Sequence, residues 1–223
     1  MEIGAFFQCY KNRTATWHAL KAFRDAYPRS TVILMSDNGS DFSDIATEFN
    51  AKYFHETESC APSFDCTDKA KQALCIARWQ KYLPLIEEEY FMVLEDDVLV
   101  KKAYEEPFLG TINGNTINTI NPRVWKNIPF AKISGKKPYS GHGGSVYHKG
   151  RFLHAISNKE VVQYLFEHWK EIGLCPNHID FDILCSILVI LDGGTIHKLN
   201  THKDMGTNQT SDANVLHQYK VHY

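Results

Sequence analysis

The chain reads Tyr-Phe-Met-Val-Leu-Glu-Asp-Asp-Val-Leu-Val at residues 90–100. Its apolar, β-prone first half predicts a buried strand, and three carboxylates follow that strand directly. Three consecutive acids repel one another, so we expect a cation beside them, and oxygen ligands suit Mg²⁺ or Mn²⁺. Along an extended segment Glu95 and Asp97 would point to one side and Asp96 to the other. The pattern favours a metal site over its alternative, an acidic surface turn.

Strand and helix patterns alternate through the first hundred residues. Strands are predicted at residues 2–9, 31–35, 52–55 and 90–94, with helices between them. This alternation predicts an α/β fold with a doubly wound, mostly parallel sheet, whose strands end at a common ligand-binding edge. The polar residues expected at that edge are Gln8, Tyr10, Asp37, Asn38 and the acids at 95–97.

The helix predicted at residues 68–88 has small and apolar residues at helical spacing. The residues expected to face inward are Ala70, Ala73, Leu74, Ala77, Tyr82 and Leu85. Lys71 and Arg78 stand seven residues apart, about two turns, and would therefore lie on nearly the same face.

The pattern changes after Lys101. Residues 103–140 are rich in Asn, Gly and Pro and predict loops with a short antiparallel portion. A glycine-rich segment at 140–147 leads into a strand, helices are expected at 150–157 and 159–172, and an apolar helix ends at Leu191. We expect one fused domain with two halves, residues 1–101 and 102–223.

Composition excludes several function classes. The 223 residues carry 24 basic and 26 acidic side chains, a net charge of −2, and contain no basic run. A nucleic-acid partner is therefore not expected. No apolar run is long enough for a transmembrane segment, and the chain starts without a basic, apolar leader. Its six scattered cysteines are expected to be free thiols, with Cys60 and Cys66 the pair to watch. These features predict a cytoplasmic protein.

Taken in order, the segments resemble a glycosyltransferase of the GT-A fold, the class that uses nucleotide-sugar donors and a metal. Ser-Asp-Asn-Gly-Ser-Asp at 36–41 is similar to its D-D-G-S-x-D nucleotide-binding turn, and Glu-Asp-Asp at 95–97 to its DxD motif. Gly-Gly-Ser-Val-Tyr at 143–147 is similar to the acceptor-side strand, and Ile-Asp-Phe-Asp-Ile-Leu at 179–184 to the E-D-V-D-L segment. The chain departs from the family at Asn38 and Ile179, where the family has acids. The compact chain resembles small viral or microbial members, which for a viral one implies the host cytoplasm.

This resemblance implies a hexosyl- or pentosyltransferase of glycan biosynthesis that uses Mn²⁺ or Mg²⁺. Asp97 would bind the metal, while Glu95 would bind it through water or contact the ribose, with Asp96 beside the donor. Asp37 would accept a hydrogen bond from uracil or ribose, unless it only stabilises its own turn. Tyr10 would stack on the base, and similarity to uridine-using members favours UDP.

Other residues receive roles by the same resemblance. Gln8 and Asn38 would complete the nucleotide site, and Lys71 or Arg78 would bind the diphosphate, unless both are solvated surface charges.

The catalytic base would come from residues 180–182. Asp180 is chosen as the base over Asp182, although carboxylates are also favoured at any helix N-terminus. The acceptor, a glycan or similar hydroxyl compound, would contact His142, Gly143 and Gly144. His202 would add a metal ligand near the last strand.

Three alternatives compete with glycosyl transfer. A sugar nucleotidyltransferase needs a glycine-rich phosphate loop after the first strand, and residues 8–13 contain no glycine. A phosphatase of the haloacid dehalogenase type would have acids after that strand, where this chain has none. A non-catalytic carbohydrate- or nucleotide-binding module would need neither Asp97 nor Asp180.

Overall fold

The computed structural model describes residues 1–60, 69–120, 128–129, 137–168, 171, 181–204 and 211–217. The first half alternates strands and helices. In order these are β1 (Gly4–Cys9), α1 (Arg13–Ala26), β2 (Val32–Asp37), α2 (Ser43–Glu48), β3 (Lys52–Glu56), α3 (Lys69–Tyr82) and β4 (Tyr90–Leu94). The predicted alternation is confirmed for every one of these elements.

The described part of the second half contains short strands and three helices. They are β5 (Leu99–Val100), β6 (Ile112–Gly114), β7 (Thr116–Ile120), β8 (Lys137–Ser140), β9 (Val146–His148), α4 (Lys149–Ser157), α5 (Lys159–Glu167), α6 (Phe181–Leu191), β10 (Ile196–Lys198), β11 (His202–Asp204) and β12 (Val215–His217). None of the helices in the described part of the chain is long and apolar enough to span a bilayer.

Seven strands form the central sheet in the order β10-β6-β9-β4-β1-β2-β3. The pairs β1–β2, β1–β4, β2–β3 and β6–β10 are parallel, whereas β9 runs antiparallel to both β4 and β6. The predicted α/β fold with a mostly parallel, doubly wound sheet is therefore confirmed. Both predicted halves supply strands to this one sheet.

Register brings the carboxyl ends of three strands together. Phe7 of β1 pairs with Leu94 of β4, and Cys9 of β1 pairs with Ser36 of β2. Residues that follow these positions consequently lie along one edge of the sheet. The acids after β4 and the polar end of β2 share that edge, as the sequence predicted.

Both faces of the sheet are buried. Phe6, Ile33 and Phe91 face one core cluster, whereas the adjacent residues Phe7 and Leu34 face the other. This alternation with period two explains why the strands read as continuous apolar runs. Each fully buried aliphatic or phenyl side chain contributes about 1.5–3 kcal/mol, so the strand ends are held on a stable scaffold.

The inward face of α3 differs from the prediction. Ala70, Ala73 and Ala77 are exposed, and Leu85 in the short 3₁₀ turn that follows is 40% exposed. The buried residues are Gln72, Cys75, Ile76, Arg78, Trp79 and Tyr82. Alanine spacing was misleading because the larger side chains Cys75, Ile76, Trp79 and Tyr82 pack into the hydrophobic core, and the alanines lie on the other side of the helix.

Candidate metal centre

Two carboxylates and one imidazole converge beyond the end of β4. Nε2 of His217 lies 3.0 Å from Oε2 of Glu95 and 3.7 Å from Oδ1 of Asp97. One ligand atom from each of the three residues lies within 4.8 Å of the other two. All three side chains are partly buried, His217 most of all. Among the described residues, these three side chains form a group of His, Cys, Asp or Glu that is close enough together to hold an ion.

A turn, rather than an extended strand, brings Glu95 and Asp97 together. The amide of Val98 donates to the carbonyl of Glu95 over 3.1 Å, closing a turn across residues 95–98. Asp96 is exposed at the tip of this turn and is not in the group. The predicted convergence of Glu95 and Asp97 is present, but turn geometry produces it instead of side-chain alternation.

His217 reaches the acids through a second, three-stranded sheet. β12 pairs antiparallel with β5, with Val215 opposite Val100 and Leu216 opposite Leu99. His217 therefore comes next to the segment just before β5, which carries Asp97. β11 supports β12 on its other side, with His202 paired to Val215.

The imidazole beside the acids belongs to His217 and not to the predicted His202. His202 is buried, and its Nδ1 accepts a hydrogen bond from the backbone amide of Asn115 over 3.0 Å. An imidazole that accepts at Nδ1 carries its proton at Nε2 when neutral, which leaves that nitrogen without a lone pair for a metal. The sequence offered no local signal for His217, because its position depends on the pairing of β12 with β5.

The residues present fit a divalent metal. A β-carbon on Gly143 would lie 2.3 Å from Cδ2 of His217 and 2.7 Å from Oε2 of Glu95, so only glycine leaves room for this arrangement. Two carboxylates suit Mg²⁺ or Mn²⁺, and the added imidazole favours Mn²⁺, because Mg²⁺ keeps to oxygen ligands. Gly143 and Gly144 were both predicted to contact an acceptor. In the structure Gly143 lies against His217 and Gly144 lies against His202.

His142 is enclosed by aromatic rings. Its ring centroid lies 5.1 Å from that of Trp79 and 5.5 Å from that of Phe181, and its Nδ1 is 2.6 Å from Oη of Tyr147. Burial lowers the pKa of His142 to about 4, so this imidazole is neutral near pH 7. Such packing makes His142 a support for the glycine loop, which differs from the predicted direct contact with an acceptor.

Asp182 lies in the first turn of α6, facing the glycine loop. A β-carbon on Gly141 would be 3.7 Å from Oδ2 of Asp182 and 3.9 Å from Cε1 of His217, so both side chains border the same glycine. The other oxygen of Asp182 accepts from the amide of Ile183. Asp180, predicted as the base, lies outside the described residues.

Asp37 is buried at the end of β2 and bonded to protein groups. Oδ1 accepts from the amide of Cys60 (2.8 Å) and forms an ion pair with Arg78, while Oδ2 accepts from Gln8 (3.2 Å) and Ser59 (3.0 Å). Four bonds use the carboxylate's usual capacity as an acceptor. Asp37 and Arg78 are 1% and 4% exposed, so neither is placed for the predicted direct contact with a nucleotide. Gln8, half-buried, joins the same network.

The remaining predicted donor residues lie around this network. Tyr10 is 46% exposed just after β1, and its carbonyl accepts from the amide of Ser40 over 2.7 Å. Asn38 is exposed, has a positive φ of 53°, and donates its amide to Glu56. Lys71 is half-buried on α3. Tyr10 therefore presents an accessible ring beside the turn at residues 38–40.

Comparisons with known proteins bear on the fold. No family model and no curated protein matches the chain. Among solved structures, the galactosyltransferase LgtC in complex with donor and acceptor sugar analogues is 11% identical, with a TM-score of 0.56, covering 96% of this chain and 86% of that one. GlyE, a glycosyltransferase of Streptococcus pneumoniae, is 12% identical with a TM-score of 0.52. This chain is covered completely in that match but spans 55% of GlyE.

The chain has the GT-A fold. This statement rests on the sheet order described above together with the likeness to LgtC and GlyE. The bifunctional IspDF of Campylobacter jejuni is also similar, at 13% identity and a TM-score of 0.47, covering 89% of this chain and 49% of that chain. At identities this low the likenesses to LgtC and GlyE establish architecture, and activity has to be argued from the site.

Proposed function

We propose that this protein is a metal-dependent glycosyltransferase that moves a sugar from a nucleoside diphosphate to a hydroxyl of a glycan or similar acceptor. The observation that carries the proposal is the group of Glu95, Asp97 and His217 at the carboxyl edge of a GT-A sheet. In open α/β sheets that edge is where ligands bind. A non-catalytic binding module, the competing interpretation, would not need these converging metal ligands.

The metal would be held by Glu95, Asp97 and His217, with Mn²⁺ favoured. When bound, it would neutralise the negative charge that develops on the departing diphosphate. Asp96, exposed at the turn, is left to contact the donor or solvent.

We assign the general base to Asp182, with Asp180 as its competitor. Asp182 and His217 both border Gly141, so an acceptor hydroxyl beside this glycine would reach both the carboxylate and the metal ligands. As the acceptor oxygen attacks the anomeric carbon, the bond to the diphosphate breaks and the carboxylate takes the hydroxyl proton. The loop at residues 141–143 would then form the acceptor side of the site. The packed side chain of His142 would hold this loop in place.

The nucleotide would bind between the metal centre and Tyr10. The exposed ring of Tyr10 is available to stack on a base. Asp37 would have an indirect role. Its carboxylate binds Gln8 and Arg78 and holds them in place, and it would not contact the nucleobase. We favour UDP, a preference that rests on family resemblance. Four described cysteines are free, which suits the cytoplasm as the compartment.

Calorimetric titration of UDP, GDP, CDP and TDP, each with and without Mn²⁺, tests the proposal. We expect UDP binding that strengthens when Mn²⁺ is present, followed by Mn²⁺-dependent release of UDP from a UDP-sugar. A nucleotide affinity that is the same with and without Mn²⁺ would contradict the proposed metal centre. If the protein releases pyrophosphate when it is given UTP and a sugar phosphate, it is a nucleotidyltransferase. If it binds sugar without any turnover, it is a binding module.

A further inference from the structure

Two buried thiols lie in contact beside the nucleotide edge. Sγ of Cys75, on α3, is 3.2 Å from Sγ of Cys60, which follows β3. The sequence had suggested Cys60 and Cys66 as a pair, and Cys66 lies outside the described residues. Both thiols are free, and they are 1% and 3% exposed.

The two sulfurs have different surroundings. Cys60 Sγ accepts from the Cys75 thiol at 3.2 Å and from Nε2 of Gln8 at 3.5 Å. Both donors point at the Cys60 sulfur, which makes Cys60 the acceptor of the thiol pair. The hydrogen bond to Cys60, followed by burial, raises the pKa of Cys75 well above its usual value. Cys75 therefore remains a protonated thiol that points at its neighbour.

We propose that Cys60 and Cys75 are a reversible oxidation site, in which Cys60 reacts with a small peroxide and Cys75 then closes a disulfide. In the first step the Cys60 sulfur gives up its thiol proton and attacks one peroxide oxygen, and the O–O bond breaks. This gives a sulfenic acid at Cys60 and, after protonation, an alcohol or water. In the second step the Cys75 sulfur attacks the Cys60 sulfur, the S–O bond breaks, and water leaves with the thiol proton.

The geometry requires little movement. A disulfide has an S–S distance of about 2.05 Å, so the sulfurs need to approach by little more than about 1 Å. Burial of both groups favours hydrogen peroxide over bulky disulfides such as oxidised glutathione, because only a small oxidant can reach them.

Oxidation would alter the edge of the sheet through three hydrogen bonds. The Cys60 amide donates to Asp37, and the Gln8 amide is shared between Asp37 Oδ2 and Cys60 Sγ. Forming the disulfide moves the Cys60 sulfur towards Cys75, so the hydrogen bond that it accepts from Gln8 is weakened. Reduced nucleotide affinity is the expected consequence, and this part rests on the proposed function.

The full chain, reduced, is treated with hydrogen peroxide or with oxidised glutathione, alkylated, and mapped by peptide mass spectrometry. We expect a Cys60–Cys75 cross-link with peroxide, formed faster than with glutathione and reversed by dithiothreitol. Cys75→Ala should stop at a Cys60 sulfenic acid that dimedone traps, and Cys60→Ala should leave Cys75 as a thiol. Cys185→Ala, a buried cysteine control, should cross-link like the wild type.

Several results would overturn the assignment. The first is a folded wild type that forms no such cross-link. The others are a Cys60–Cys66 cross-link in its place and oxidation of Cys75 before Cys60. UDP affinity, measured before and after oxidation, should fall about fivefold or more and recover on reduction. A cross-link without any change in affinity would refute the coupling. Failure of the reduced protein to bind UDP would refute the proposed function and leave the disulfide to be decided by mass spectrometry.

Discussion

Nε2 of His217 lies 3.0 Å from Oε2 of Glu95, although 122 residues separate them in sequence. The contact exists because β12 pairs with β5, the strand that begins just after the acidic turn. The candidate metal centre is therefore shared between the acidic turn before β5 and the strand β12. Anything that displaces β12 should weaken metal binding without disturbing the central sheet.

Replacing His217 by alanine should remove metal binding from a folded protein. Loss of an outer-shell partner alone usually costs about 10–100-fold in metal affinity, so loss of a ligand should cost at least about 100-fold. Mn²⁺ affinity is measured by electron paramagnetic resonance. The control is His202→Asn, whose side-chain oxygen can still accept the Asn115 amide and should leave Mn²⁺ affinity nearly unchanged. The opposite pattern would return the ligand role to His202.

Gly143→Ala should have the same effect by steric means. Its new β-carbon would overlap the ring of His217 and approach the carboxylate of Glu95, so both side chains must move apart. Circular dichroism should stay native while Mn²⁺ affinity falls at least about tenfold. Gly150→Ala is the matched control, because the first atom a β-carbon would meet there is 3.7 Å away. Equal Mn²⁺ affinity in the two variants would show that the glycine does not shape the centre.

Asp182→Asn should reduce glycosyl transfer by roughly 100-fold or more, the usual contribution of a general base, while Mn²⁺ and UDP binding stay near normal. The asparagine keeps the shape of the side chain and can still accept at the start of α6. Asp180→Asn is assayed beside it. A loss confined to Asp180→Asn would reverse the assignment, and full activity in both would indicate a retaining enzyme that needs no base here.

Breaking the ion pair between Arg78 and Asp37 should be strongly destabilising. Arg78→Met leaves a buried carboxylate without its cation, a change that typically costs about 3–5 kcal/mol. The free energy of unfolding in urea measures this cost. The control, Lys21→Met, removes an exposed pair with Asp25 and should change stability by no more than about 1 kcal/mol. An Arg78→Met protein as stable as this control would mean that the pair is not buried as described.

Glu106 should make stability depend on acid pH. Burial raises the pKa of its carboxyl, but hydrogen bonds from the Thr201 hydroxyl and the amides of Asn200 and Thr201 outweigh burial, and the net pKa lies below its usual 4.5. The unfolded chain therefore takes up a proton first as the pH falls. The stabilisation is complete above pH 4.5 and is lost as the pH drops through the folded-state pKa.

Urea unfolding of the wild type and Glu106→Gln measures this dependence. At neutral pH the variant should be less stable by about 1–3 kcal/mol, the usual range for hydrogen bonds to a charged group. That difference should shrink steadily below pH 4.5. A difference that stays constant down to strong acid would show that the charge of Glu106 plays no part. His55→Gln, at a histidine on β3, serves as a surface control and should show no such trend.

Local patterns in the sequence were sufficient for the architecture and for part of the site. Apolar strand runs alternating with helical spacing predicted the parallel sheet, because burial on both faces imposes a pattern that is visible within a few residues. The acids after residues 90–94 predicted a candidate metal site, because carboxylates this close together favour a cation beside them. A cluster of like charges directly after a buried strand is unusual enough to be read without the rest of the chain.

Tertiary structure alone decided which partners these residues meet. His217 joins Glu95 and Asp97 through a pairing of distant strands, and no local pattern fixes which of several histidines such a pairing will deliver. Arg78 was expected to bind the diphosphate or to be a solvated surface charge, and its burial required the carboxylate of Asp37 on another element. Propensity and hydrophobic burial act on neighbouring residues, whereas ligand sets and buried ion pairs depend on where separate segments are brought together, which only the folded chain determines.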